Sequence, residues 1–355
     1  MYSAPSAERY VAALAREIGS SRGSDERSAV DVDTIYFGGG TPSLLTPAQL
    51  EVLLNSVRGQ FKVSADAEIT MEMNPSTVTP ETLSGFRGLG VNRASFGAQT
   101  FDDAELARLG RSHTSDDTRL TFSQLRAAGF NNISFDLIAG LPGQSLEAWK
   151  RNLDEAFGMR PEHLSFYLLE VHQGTPLAEH IKRGIQPQPD EDLATEMYEV
   201  MLDRAAEAGY AHYEISNLSF PGFESRHNTK YWTGAPYYGF GCSAHSYDGR
   251  NRRWANERDL QRYVELIESE RPAVTSETKL SESDRQAEAV FLGLRMMQGL
   301  CLSEYRRLFG RDLREGNQSE LARFHEAGLI ECKGDLLKLT RAGALLSNEV
   351  FAAFV

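Results

Sequence analysis

The chain has 355 residues, enough for one barrel-sized domain and a smaller one, and 41% of them are hydrophobic, enough for a packed core. A formal net charge of −13 argues against a protein built to hold a nucleic-acid backbone, and no apolar run is long enough to cross a membrane. The opening Met1-Tyr2-Ser3-Ala4-Pro5 has neither the basic segment nor the apolar stretch of a signal peptide, so a cytoplasmic location is expected.

In chain order, Ala7 to Ile18 has the spacing of an amphipathic helix. Thr34 to Phe37 reads as a strand that runs into Gly38-Gly39-Gly40-Thr41-Pro42. Glycines after a strand strip the turn of side chains, so a ligand can touch the backbone itself. A plain flexible exit from the strand is the alternative. Thr46-Pro47 signals a helix start, with the helix running to about Arg58. Glu68 to Met73 is a strand, and Thr79-Pro80-Glu81 repeats the helix signal. Arg93 to Gly97 is a strand, Asp116 to Ala128 a helix closed by Gly129, and Asn132 to Ala139 a strand closed by Gly140-Leu141-Pro142-Gly143. Leu146 to Phe157 is a helix, His163 to Val171 a strand, and Glu191 to Ala208 a helix ending at Gly209.

This βα rhythm predicts an α/β fold: a partial parallel (β/α) barrel over residues 1–210. Residues 211–282 read as an irregular, aromatic-rich connecting region, with 211–256 the richest in Gly, Tyr, Trp and Asn. From Ser283 the pattern is helical, and Leu329 to Thr340 reads as a hairpin about Lys333-Gly334-Asp335, followed by a terminal helix. Residues 283–355 are therefore expected to form a small winged-helix-like α+β domain. The acidic balance points to a structural or partner-docking role for it, not to nucleic acid.

In such barrels the chemistry gathers at the C-terminal ends of the strands. Those ends carry Gly38 to Thr41, Glu72 and Gln99, with Asp136 inside an apolar strand and Arg111 in Leu109-Gly110-Arg111-Ser112-His113. Together they could hold an ammonium, a carboxylate and two ribose hydroxyls. They could equally form an internal Arg–carboxylate network that closes the barrel. In Arg226-His227-Asn228-Thr229-Lys230-Tyr231-Trp232, the imidazole is a possible haem-iron ligand and the two rings could flank a flat macrocycle. The bland reading is a loop lock, with His227 only hydrogen-bonding to its neighbours. His245 is a second candidate ligand, or a packing residue of the barrel wall.

From Tyr36 to about Val171 the chain resembles the radical S-adenosylmethionine (SAM) proteins of the coproporphyrinogen dehydrogenase and HemW group. The motifs that carry the likeness occur in the family's order: Gly38-Gly39-Gly40-Thr41-Pro42, Glu72-Met73-Asn74-Pro75, Ser95-Phe96-Gly97-Ala98-Gln99, Leu109-Gly110-Arg111 and Asp136-Leu137-Ile138-Ala139-Gly140-Leu141-Pro142-Gly143. The likeness extends into the C-terminal third. It implies that Gly38, Gly39, Gly40, Thr41 and Glu72 face the methionine end of SAM, that Arg111 pairs with its carboxylate, and that Gln99 and Asp136 hold its ribose.

The resemblance also implies a Cys-x-x-x-Cys-x-x-Cys loop before the first helix, holding a 4Fe-4S cluster. No cysteine precedes Cys242, and Cys242, Cys301 and Cys332 are too far apart to substitute. The expectation is a misplaced start codon, with the missing strand and loop encoded upstream in frame. The alternative is a degenerate paralogue. No cluster is expected in the 355-residue chain, and SAM should bind it weakly.

His227-Asn228-x-x-Tyr231-Trp232 looks like the segment that marks HemW-type haem chaperones. The resemblance therefore implies a protein that binds haem and passes it to an acceptor apoprotein, for instance of a respiratory chain, with His227, Tyr231 and Trp232 as haem contacts. The enzymatic alternative is oxygen-independent decarboxylation of coproporphyrinogen III. A cofactor-free remnant is the third reading.

Overall fold

The computed structural model describes residues 4–20 and 31–354; Met1–Ser3, read above for a signal peptide, and residues 21–30 of the expected barrel lie outside them. Helix α1 (Ala4–Ser20) is followed by five parallel strands: β1 (Asp31–Phe37), β2 (Lys62–Met73), β3 (Arg93–Gln99), β4 (Ile133–Ala139) and β5 (His163–Leu168). Between them run α2 (Pro47–Gln60), α3 (Pro80–Gly88), α4 (Asp103–Arg108), α5 (Ser115–Ala127) and α6 (Leu146–Met159). After β5 come α7 (Pro176–Lys182), α8 (Glu191–Glu207) and the short antiparallel strands β6 (Ala211–Glu214) and β7 (Asn217–Ser219). The sheet order is β1-β2-β3-β4-β5-β7-β6.

The helix starts read from the sequence have their expected chemistry. Thr46 and Thr79 each close a capping box with proline in the first turn. Alternation along the strands sorts the side chains. Ile69, Met71, Ala94, Phe96, Ile133, Phe135 and Leu137 are buried in the main apolar core, which also includes residues of α2, α3, α5, α6 and α8. Their alternates, including Glu72, Arg93, Ser95, Gln99, Asp136 and Ser165, line a cavity on the other face.

The segment 211–256 is more regular than its composition suggests. It contains β6, β7, α9 (Arg226–Trp232), β8 (His245–Tyr247) and β9 (Arg252–Asn256). After α10 (Leu260–Glu268), β10 (Val274–Lys279) joins β9 and β8 in an antiparallel three-stranded sheet. Helix α1 packs on α2 and α10, with Ala13 buried beside Tyr263, Val264 and Ile267.

The C-terminal domain holds α11 (Glu282–Arg295), β11 (Leu300–Cys301), α12 (Leu302–Phe309), α13 (Gln318–Glu326), β12 (Ile330–Lys333), β13 (Leu336–Leu339), α14 (Arg341–Leu345) and α15 (Ser347–Ala352). The hairpin expected over Leu329–Thr340 is β12–β13, and β11 adds a third strand to it. The expected terminal helix is divided into two short ones, α14 and α15. No helix of the described residues is long and apolar enough to cross a membrane.

Candidate functional site

A cavity of about 250 Å3 opens on the concave face of the sheet and brings Gly40, Glu72, Gln99, Arg111 and Asp136 together. Its wall is almost wholly polar. Glu72, at the end of β2, accepts from the Tyr36 hydroxyl at 2.7 Å and from the Gly39 N–H at 3.2 Å. The first glycine of the triplet makes that approach possible: a Cβ on Gly38 would lie 2.6 Å from the Tyr36 ring and 2.9 Å from the Glu72 carboxylate. Gly39 takes a φ of +78°, open to glycine at little cost. Thr41 accepts from the Asn74 amide at 3.2 Å, tying the glycine loop to the turn after β2.

At the end of β3 the pairing with β4 slips by one residue between Gly97 and Gln99. Gln99 sits in the left-handed region at φ 66°, buried, and a Cβ on Gly97 would fall 2.2 Å from its amide nitrogen. A non-glycine residue held there is a cost that clusters at ligand sites. Behind it lies a buried polar anchor. Thr100 donates to Glu105, Gln144 donates to Glu105 at 3.1 Å, and the Gln144 carbonyl oxygen accepts from Gly140 N–H at 2.9 Å. The loops after β3 and β4 are thereby fastened to each other.

Asp136 is enclosed by protein on most sides, with its carboxylate facing the cavity. Burial pushes its pKa up to about 6, against the opposing pull of Ser165, Arg93 and Arg111, while Glu72 pushes it further up. Burial and neighbouring Glu72 likewise raise the Tyr36 hydroxyl far above its usual range.

Arg93, which the sequence reading passed over as an ordinary strand residue, is the buried cation of this cavity. It is 2% exposed, has no ion pair with a described residue within 4 Å, and its Nε has no hydrogen-bond partner. Tyr36, Ser95, Ser165, Tyr167 and Asn228 also line the cavity and were not singled out as site residues. The period-two alternation through 93, 95, 97 and 99 was the signal that could have found Arg93.

The aromatic segment lies beside the same cavity. Glu68, buried on β2, accepts from the N–H groups of Arg226 and His227 at 3.1 and 3.0 Å and so seats the start of α9. His227 stacks on Tyr36 with centroids 4.8 Å apart. Its Nδ1 lies 3.0 Å from the Thr34 hydroxyl and its Nε2 2.9 Å from the Tyr231 hydroxyl. Burial, Lys230 and Arg93 lower its pKa to about 4, so the ring is neutral at pH 7. Tyr231 stacks edge-on with Tyr237 at 4.7 Å. Trp232 turns to the C-terminal domain, where the Arg295 guanidinium lies 4.3 Å from its ring centre. His245 is exposed on β8.

Comparison with known proteins gives these features a context. A sequence model of the Radical SAM superfamily matches residues 25–156, and one of the HemN C-terminal domain matches residues 280–346. The heme chaperone HemW of Bacillus subtilis is 36% identical over 326 residues, 92% of this chain and 86% of the relative. The heme chaperone HemW of Mycobacterium tuberculosis is 36% identical over 345 residues, 97% of this chain and 86% of the relative. The chain belongs to the HemW family of radical SAM proteins. The same architecture occurs in the Escherichia coli coproporphyrinogen III oxidase HemN, a radical SAM enzyme: TM-score 0.83 at 24% identity, covering 98% of this chain and 83% of that one. That likeness concerns the fold. It agrees with the partial barrel and appended small domain expected from the βα rhythm.

Two cofactors follow from membership in the HemW family, and the described residues fit them differently. The polar cavity suits SAM: it has a glycine-lined edge, two carboxylates, the Arg111 guanidinium and the unpartnered Nε of Arg93. A 4Fe-4S cluster finds no such set. None of the three cysteines is in a disulfide: Cys242 lies between α9 and β8, Cys301 on β11 and Cys332 on β12, and no group of three metal-ligating side chains occurs among the described residues.

Proposed function

We propose that this protein is a cytoplasmic haem chaperone that binds haem and hands it to an acceptor apoprotein. The observation that carries the reading is the match to curated HemW heme chaperones along more than nine-tenths of the chain. SAM is an accessory ligand of the cavity on the concave face. There Glu72 and the glycine loop receive its ammonium end, Arg111 its carboxylate, and Gln99 and Asp136 its ribose hydroxyls. With a reduced iron–sulfur cluster beside it, bound SAM would be a source of radical chemistry. Tyr36 and His227 act on this cavity from one side, since Tyr36 donates to Glu72 and stacks on the imidazole.

His227, Tyr231 and Trp232 are proposed haem contacts. Both nitrogens of His227 face hydroxyls, so iron would reach Nε2 only if Tyr231 turned away. The test is a titration with hemin, followed by transfer to a haem-free acceptor. Saturable binding with a Soret band and subsequent transfer supports the chaperone reading; absence of binding sinks it. In His227→Ala, checked for folding by circular dichroism, a displaced Soret band is expected. An unchanged band and affinity would remove His227 as the iron ligand.

A further inference from the structure

A second cavity, about 850 Å3 in volume, lies away from the SAM-type site, between the end of α1, the segment 238–240, and the sheet and helix formed by β9, β10 and α10. The first cavity is smaller, at about 250 Å3, and its wall is almost wholly polar; a flat macrocycle calls for some apolar wall and a volume in the range of about 300–1,000 Å3. The second falls within that range and has the mixed wall such a ligand needs. Tyr238, Phe240 and Trp254 contribute aromatic rings to it, with Tyr238 and Trp254 6.2 Å apart and their planes tilted by 52°.

Three arginines and two glutamates of the described residues line the groove. Arg16, Arg252 and Arg271 line the groove on a chain whose net charge is −13. Arg252 pairs with Glu277 at 2.8 Å and lies 5.0 Å from the Trp254 ring centre. Arg16 and Arg271 have no ion pair with another described residue, and both are exposed. Among the described residues, the acidic groups lining the groove are Glu17 and Glu270. Glu17 is already committed: it accepts from Gly241 N–H at 2.8 Å, the Asn256 amide at 2.6 Å and the Tyr263 hydroxyl at 2.7 Å. Glu270 closes α10 at φ 56°, where a helix end ordinarily calls for glycine. Among the described residues it is one of five non-glycine positions with positive φ; another is Gln99 in the first cavity.

We infer that this groove is a seat for a porphyrin, its ring system lying against Tyr238, Phe240 and Trp254 and its two carboxylates received by Arg16 and Arg271. Guanidinium groups suit carboxylates through paired donors, and aromatic faces suit a flat conjugated ring. The choice of porphyrin over another flat dianion rests on the haem-chaperone reading. Among the described residues no imidazole or thiol lines the groove, so recognition there uses ring and carboxylates, without His227.

Metal-free protoporphyrin IX separates this seat from any iron ligand. The full chain should bind it saturably, with quenching of tryptophan fluorescence. Arg16→Ala/Arg271→Ala should weaken binding at least tenfold, whereas His227→Ala should leave it unchanged. Protoporphyrin IX dimethyl ester, used with the unaltered protein, should bind at least tenfold more weakly than the free acid, which tests the carboxylate contacts without any substitution. Equal affinity of acid and ester, equal affinity of wild type and double variant, or no binding of protoporphyrin IX at all would each overturn the proposal. Hemin carries the same ring and carboxylates, so the groove should take it as well; capture of protoporphyrin IX through the two arginines without any transfer of hemin to an acceptor would leave the groove standing and remove the chaperone reading.

Discussion

Asp136 shows at the scale of one residue how the cavity exchanges stability for acceptor strength. Its folded pKa of about 6 lies above the ordinary carboxyl value of 3.8, because burial disfavours the anion more than Ser165, Arg93 and Arg111 favour it. A group whose pKa is raised on folding contributes most below its unfolded pKa, and that contribution fades as pH rises through the folded value. Ionised Asp136 therefore works against folding above about pH 6, by about 3 kcal/mol for a shift of this size. Asp136→Asn should be more stable than wild type at pH 7 by about that amount, with the difference shrinking as pH falls from 6 toward 4. Denaturant melts across that range measure it, and equal stabilities of the two proteins at pH 7 would refute it. The same variant should bind S-adenosylhomocysteine more weakly, because a ribose hydroxyl loses a charged acceptor. Gly38 obeys a related logic without charge. Its missing side chain is what allows Tyr36 and Glu72 to meet at 2.7 Å.

Helix α9 is the element that couples the aromatic segment to the barrel, and its stability comes from outside itself. Seven residues are too few for a self-sustaining helix. Ser225 caps it, and the buried Glu68 carboxylate takes the N–H groups of Arg226 and His227. Glu68→Ala should cost about 1–3 kcal/mol, because two enclosed donors lose their partner, and should speed hydrogen exchange in residues 226–232 more than in β3 or β4. Uniform exchange changes across the sheet would assign Glu68 to the barrel as a whole. This dependence on a distant carboxylate also explains what could be read in advance. The βα units of the first 170 residues were legible because strands and helices there are long enough to show their periods, and Thr-Pro marked two helix starts. Strands of three to five residues and a seven-residue helix carry too few turns of any period, so 211–256 read as irregular. Glu72, Gln99 and Asp136 were legible as polar residues in or ending apolar strands. Arg93 shares their face by the alternation along β3, but an arginine at the start of a strand reads as solvent-facing until the neighbouring strands β2 and β4 are seen to enclose it.

Across the whole molecule, the C-terminal domain is joined to the barrel at the far edge of the seven-stranded sheet. Met297 N–H donates to the Tyr213 carbonyl at 3.0 Å and Ile215 N–H to the Arg295 carbonyl at 3.2 Å, so the chain leaving α11 covers the edge strand β6. One ion pair lies at the centre of this seam. Glu214 is fully buried, accepts from Ser216 N–H at 2.8 Å, and meets Arg295 Nε at 2.9 Å. The same guanidinium covers the Trp232 ring, so a single side chain touches the sheet edge, helix α9 and the C-terminal domain. Removing one partner of a buried pair strands the other charge. Arg295→Ala should therefore destabilise the fold by about 3–5 kcal/mol, well beyond the about 0–1 kcal/mol of a surface pair. The double variant Glu214→Gln/Arg295→Met, which strands no charge, should recover a large part of the loss. Urea unfolding followed by tryptophan fluorescence reads both effects, since Trp232 lies in the seam. Limited proteolysis should release residues 283–355 from Arg295→Ala faster than from wild type. A loss of about 1 kcal/mol or less in Arg295→Ala would mean that the apolar contacts of Ile215 with the C-terminal core, not this pair, hold the two domains together.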